Sequence, residues 1–120
     1  MVALHEVMST DLTVVPPSAT VAEAAQLMSV RHVGSVLVVH EEVLAGIFTE
    51  RDVVRALASD FDAAQHQVSM WMTRDPVSID PEASTGEALD RMLASGFRHL
   101  PVLEDGRLRG IVSLRDLAPR

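Results

Sequence analysis

Slid against itself by 64 residues, the chain aligns positions 8–53 with 72–117 without a gap. Met8 falls on Met72, Asp11 on Asp75, Pro17 on Pro81, Ala19 on Ala83, Glu23 on Glu87, Ala24 on Ala88 and Met28 on Met92. Further on, Val38 meets Val102, Leu44 meets Leu108, Gly46 and Ile47 meet Gly110 and Ile111, and Arg51 and Asp52 meet Arg115 and Asp116. These are 13 identities in 46 positions, and Ser9/Thr73, Thr20/Ser84 and Thr49/Ser113 are conservative exchanges. Self-similarity at a fixed offset means that one structural unit is built twice. A unit of about 50 residues is marginal alone, because too little of its surface can be buried. Two such units must cover each other, and a pseudo-two-fold arrangement creates two equivalent clefts where a ligand would go.

Each repeat reads as β-α-β-β-α. A short extended segment (12–15, or 76–79) ends at a proline turn. A helix follows. In the first repeat Ser18, Thr20 and Glu23 offer a cap, and Val21, Ala24, Ala25 and Met28 share a face. Its partner covers 84–94, with Ala88, Leu89, Met92 and Leu93 apolar. Strands over 35–39 and 44–48 flank the acidic turn Glu41-Glu42, and strands over 100–103 and 108–112 flank residues 104–107, a hairpin signal. A second helix starts at Thr49 or Ser113. One helical turn leads into each repeat, at 4–8 and 68–72. The expected organisation is a first repeat over 1–60, a linker and entry segment over 61–70, and a second repeat over 71–120. The fold class is α+β, two tandem repeats packed with pseudo-two-fold symmetry.

Composition narrows the function. Of 120 residues, 48% are apolar, enough for a core at this size. No apolar run approaches the length of a membrane span, and the first residues lack the basic end and apolar stretch of a signal peptide. There is no cysteine, hence no disulfide framework and no thiolate metal site. A cytoplasmic protein is expected. The net charge of -7 disfavours nucleic acid, whose binding needs a basic face. Three Phe and one Trp are too few for base-stacking platforms. All ten basic residues are arginine, and seven follow residue 60.

The chemistry concentrates where each repeat ends. Gly46, Thr49 and Asp52 lie in GIFTERD, and Gly110, Ser113 and Asp116 lie in GIVSLRD. The pattern is G-x-x-S/T-x-x-D at a strand-to-helix junction. Glycine lets another group approach the backbone closely. A hydroxyl and N–H groups at a helix start attract phosphate. A carboxylate three residues on can accept hydrogen bonds from two ribose hydroxyls. The same spacing is nearly a capping box, in which hydroxyl and acid only satisfy the helix terminus. Both readings stand on the residues alone.

The duplicated unit and its closing pattern resemble the CBS domain pair, or Bateman module, over residues 4–117. The second repeat is the closer match, with Gly96, Arg98, His99 and Val102 in GFRHLPV, while VGSVLV over 33–38 is a common variant. The resemblance implies a module that binds an adenosine compound in its clefts: AMP, ADP or ATP, and less readily NAD or S-adenosylmethionine. It implies that the Asp holds ribose, that the Ser or Thr sits near phosphate, and that the segment entering the other repeat contacts adenine. One site would then use Thr49 and Asp52 with Pro76, Val77 and Ser78. The other would use Ser113 and Asp116 with Leu12, Thr13 and Val14. Arg98 and His99 stand where the family often has basic residues facing phosphate. Their counterparts are Gly34 and Ser35, with only His32 nearby, so the Asp116 site is expected to bind more tightly. Arg51 and Arg115 either reach phosphate or pair with acids of a partner. The resemblance also implies a homodimer.

Other features carry less. The five histidines show no ligand spacing, and no metal is expected. Met8, Met28, Met72 and Met92 recur at matching positions, as core residues would. Trp71 is expected to pack between the repeats. There is no nucleophile elbow, P-loop or paired acid and base, so binding rather than catalysis is expected. Two functions follow: a sensor that binds an adenine nucleotide and acts on a separate, unidentified protein, or a ligand-free homodimeric scaffold for protein interaction.

Overall fold

A computed structural model describes residues 2–117. The chain forms two compact units: one spans Thr13–Asp75, and the other combines the segment up to Leu12 with the chain from Pro76 onward. We call them the inner and the outer unit. Their borders do not follow the sequence repeats, since the entry segment of each repeat joins the body of the other.

In the inner unit β1 (Val14–Val15) leads to α1 (Val21–Arg31), β2 (Ser35–His40), β3 (Val43–Thr49), α2 (Glu50–Ser59) and β4 (Thr73–Arg74). The sheet order is β1-β2-β3-β4, with β1 parallel to β2 and the other pairs antiparallel. Helix α1 begins in a full capping box. Thr20 Oγ1 accepts from the Glu23 N–H at 3.0 Å, and the Glu23 carboxylate accepts from the Thr20 N–H at 2.9 Å. The Thr20 N–H, and then the Thr20 hydroxyl, hold the Glu23 carboxyl below its ordinary 4.5. The β2–β3 turn places Glu41 and Glu42 at φ 50° and 67°. Two left-handed residues in succession are what a two-residue hairpin requires.

The outer unit repeats the plan with α3 (Thr85–Ser95), β5 (His99–Glu104), β6 (Arg107–Ser113) and α4 (Leu114–Leu117). Ser84 caps α3, and Gly96 ends it at φ 78°. The outer lines of its sheet shrink to single bridges, Ile79 beside Val102 and Ser9 beside Ile111. Both hairpins carry a bulge at the same place, after Val38 and after Val102.

The cores match position for position at the 64-residue offset. Val15, Ala24, Met28, Val36, Val38 and Phe48 in one cluster answer Ile79, Ala88, Met92, Leu100, Val102 and Val112 in the other. Leu4 and Val68, both at 0% exposure, complete the pattern crosswise. Each comes from an entry segment that forms a single 3-10 turn, Leu4–Glu6 or Val68–Met70. Burying an aliphatic side chain of this size contributes roughly 1.5–3 kcal/mol, so neither entry segment is ornamental. Trp71 belongs to the inner unit and packs against its core. Its indole N–H donates to His66 Nδ1 at 3.3 Å, and the two rings stack.

Candidate functional site

Each hairpin ends in a G-x-x-S/T-x-x-D junction, and the first role of the junction is to start a helix. In the inner unit Thr49 is extended at φ -118° and ψ 169° and caps α2. Asp52 Oδ2 accepts from the Thr49 N–H at 2.9 Å and from the Thr49 hydroxyl at 3.2 Å. The Asp52 N–H donates to Thr49 Oγ1 at 3.3 Å. The outer unit repeats the motif: Asp116 Oδ2 accepts from the Ser113 N–H at 2.9 Å, and the Asp116 N–H donates to Ser113 Oγ at 3.3 Å. The capping reading therefore holds at both junctions, short as Asp is for the task.

Capping removes much of the expected attraction for phosphate at the helix start. The Glu50 N–H donates to the Gly34 carbonyl at 3.1 Å, and the Leu114 N–H donates to the Arg98 carbonyl at 2.8 Å. With the third residue's N–H held by the hydroxyl, two of the first-turn donors are already used in each case.

The glycines also have an internal occupant. A Cβ on Gly46 would stand 2.6 Å from the Thr73 carbonyl oxygen and 2.7 Å from Met72 Sδ. A Cβ on Gly110 would meet Met8 Sδ at 2.7 Å and the Ser9 carbonyl at 2.8 Å. The group that approaches each backbone so closely is the neighbouring entry segment. The glycines serve the sheet, and the expected ligand-side reason for them is replaced.

The two acids differ in what remains. Asp52 is buried at 5% exposure, and its Oδ1 accepts from the Arg55 guanidinium at 2.6 Å. Both of its oxygens are committed. Asp116 is exposed, and its second oxygen has no partner among the described residues. The surroundings differ too. Arg98 is exposed, and its own carbonyl receives the first N–H of α4. His99 is half-buried and sits in register with Ser113. The inner unit has Gly34 and Ser35 at these places, with Ser35 in register with Thr49. Arg51 and Arg115 are both exposed.

Of the residues expected at a ligand, the outer unit holds Ser113, Asp116, Arg98, His99, Pro76, Val77, Ser78 and Leu12. It brings Arg98, His99, Ser113 and Asp116 to one hairpin end. The inner unit holds Thr49, Asp52, Thr13 and Val14. Thr13 is buried and its carbonyl accepts from the Leu37 N–H at 2.9 Å, while Val14 is exposed. The Ser78 carbonyl accepts from the Arg91 guanidinium at 2.7 Å. Arg55 and Arg91 escaped the sequence reading. For Arg55 a signal existed, a cation three residues after the motif acid on the same helix face.

Among the described residues no group of three or more His, Asp or Glu could hold a metal. Among the described residues no helix is long and apolar enough to cross a membrane.

The fold and its paired junctions define a tandem-repeat module, and comparison with known proteins gives the family. The CBS domain family model matches residues 4–59 and 67–119. This chain belongs to the CBS domain family and carries two copies of the domain. It is 41% identical over 118 residues to an uncharacterized 17.7 kDa protein of Acidianus ambivalens, covering 96% of this chain and 70% of the relative. It is 36% identical over 118 residues to the CBS domain-containing protein YhcV of Bacillus subtilis, covering 98% and 84%. The crystal structure of the CBS-domain containing protein ATU1752 from Agrobacterium tumefaciens superposes with a TM-score of 0.91 at 35% identity, covering 97% and 96%. Two more distant structures share the fold. One is the CBS domain pair of protein MJ0100 in complex with 5′-methylthioadenosine and S-adenosyl-L-methionine, with a TM-score of 0.90, 22% identity and coverage of 98% and 93%. The other is CBSX2 in complex with AMP, with a TM-score of 0.84, 24% identity and the same coverage.

Proposed function

We propose that this chain is a sensor module that binds an adenosine-containing ligand and passes its occupancy to a separate protein. The observation that carries the reading is the state of Asp116. One oxygen is held by the helix cap, which fixes the carboxylate. The other belongs to an exposed residue and has no partner among the described residues, so it can accept from a ribose hydroxyl. Arg98 and His99 at the same hairpin end supply the phosphate side, and a guanidinium there can bind two phosphate oxygens at once. The adenosyl ligands of MJ0100 and CBSX2, which share this fold, support the ligand class. AMP, ADP and ATP fit a site with a cation beside the ribose acceptor better than S-adenosylmethionine, whose sulfonium is itself positive. The reading is binding without turnover, since the sequence carries no nucleophile elbow, P-loop or paired acid and base.

Calorimetric titration with AMP, ADP, ATP, NAD and S-adenosylmethionine tests this. Saturable binding of one compound, weakened at least about tenfold in Asp116→Asn, is expected. Equal affinity in the variant would remove Asp116 from the site.

A ligand-free scaffold is the second reading, and the exposed apolar residues of the inner unit favour it. Val54 is 67% exposed, Leu57 43% and Phe61 98%. Helical spacing puts Val54 and Leu57 on one side of α2, and Phe61 follows just past its end. Such a stripe is what a second copy of the chain would cover. A homodimer is compatible with both readings and belongs to the proposal.

A further inference from the structure

We propose that Arg55 closes the first G-x-x-S/T-x-x-D motif to ligand, so that the chain carries one working nucleotide site where its duplication suggests two. Arg55 has this role only if the motif acid is the ribose acceptor, as proposed above for Asp116.

The Asp52 carboxylate has three interactions, and each of its oxygens has a partner. Oδ2 takes the Thr49 N–H and hydroxyl, Oδ1 takes the Arg55 guanidinium at 2.6 Å, and the carboxylate is 7% exposed as a side chain. A ribose would have to replace a charge-assisted hydrogen bond with neutral hydroxyl donors. Both kinds have an ionised acceptor, but only the first also brings a counter-charge to the nearly buried carboxylate, which a ribose cannot replace. The competitor is also tethered: it sits three residues along the same helix, where side chains are neighbours. It is therefore present at every encounter with a ligand.

The second motif lacks this device at the level of sequence. At the 64-residue offset Arg55 aligns with Pro119, which has no cation and lies outside the described residues. Arg51 and Arg115 are common to both motifs and cannot account for the difference. The duplication has thus diverged at one residue in a way that separates the fates of the two acids. In the first repeat both Asp oxygens are engaged, and in the second one oxygen has no partner among the described residues.

Arg55 is 59% exposed as a side chain, so its replacement opens no core cavity, and the Asp52 carboxylate it leaves keeps both Thr49 donors. The test is calorimetry with AMP on four chains: wild type, Asp116→Asn, Arg55→Ala and the double variant, with Arg55→Gln as a second substitution. Thermal unfolding checks that each is folded. The expected result is one equivalent for wild type, none at that affinity for Asp116→Asn (weaker by at least about tenfold), two for Arg55→Ala and one for the double variant. Retention of a single equivalent by both Arg55→Ala and Arg55→Gln overturns the inference. So do two equivalents in wild type, or no binding by any chain. If wild type binds nothing and Arg55→Ala binds one equivalent, the role of Arg55 stands while the reading of Asp116 fails.

Discussion

The carbonyl oxygen of Thr73 lies 2.6 Å from where a side chain on Gly46 would begin. Backbone is the obstacle, and backbone cannot swing aside as a side-chain tip can. The register of β3 with β4, Gly46 opposite Arg74 and Ile47 opposite Thr73, depends on that space. Gly46→Ala must push β4 outward and disturb Met72, at a cost of about 1–3 kcal/mol as for other overpacked sites. Gly110→Ala should cost a similar amount, through Ser9 and Met8. Urea unfolding of the two variants measures both, and a loss under about 0.5 kcal/mol would show that the entry segments are held less firmly than the geometry implies.

The β2–β3 turn offers a gain. Glu42 sits at φ 67°, in the left-handed region that costs an L-residue roughly 1 kcal/mol. The matching position in the other hairpin is Gly106 at φ 79°. Glu42→Gly should stabilise the protein by up to about 0.5 kcal/mol, because the entropy glycine adds to the unfolded chain, about 0.5–1 kcal/mol, offsets much of the relieved strain. Thermal denaturation reads the change, and a lower midpoint would contradict it.

Glu23 gives a pH signature. Its folded carboxyl lies below the ordinary 4.5 because the Thr20 N–H and hydroxyl hold the charged form. A depressed folded value contributes stability that is fully present above the unfolded value and is lost as pH falls through the folded one. Glu23→Gln should thus unfold at a lower temperature than wild type at pH 7, with the gap shrinking below pH about 4.5. A gap that stays constant down to pH 3 would assign the effect to packing instead.

Phe61, 98% exposed beyond α2, tests the homodimer. Phe61→Ser together with Leu57→Ser removes most of the exposed stripe without touching the core. Sedimentation should show wild type as a dimer and the double variant dissociating at least about tenfold more readily. An unchanged dimer would move the interface elsewhere.

The sequence showed the elements and the core because both follow from local pattern read twice. Val15, Ala24, Met28 and Val38 have apolar partners 64 residues on, and all prove buried. The helix cap at Thr20 was legible in the same way, from Glu23 three residues later. Three things were less legible. A glycine states only that something comes close, and periodicity could not say that the visitor is Thr73 or Ser9. The spacing of Asp52 to Arg55 was visible, but pattern alone does not distinguish an ion pair from two solvated charges. The destination of each entry segment was hidden, because a 3-10 turn with one buried residue fits either body equally well on composition.

The crosswise placement of Leu4 and Val68 has a consequence for how the chain can be divided. A fragment ending at residue 60 would keep the hairpin of the inner unit but lose Val68, Met72 and Thr73, which fill its core and flank Gly46. It would still own Leu4, Met8 and Ser9, the same shapes 64 residues earlier. For such a fragment to close its core, two of them would each have to lend the other that arm.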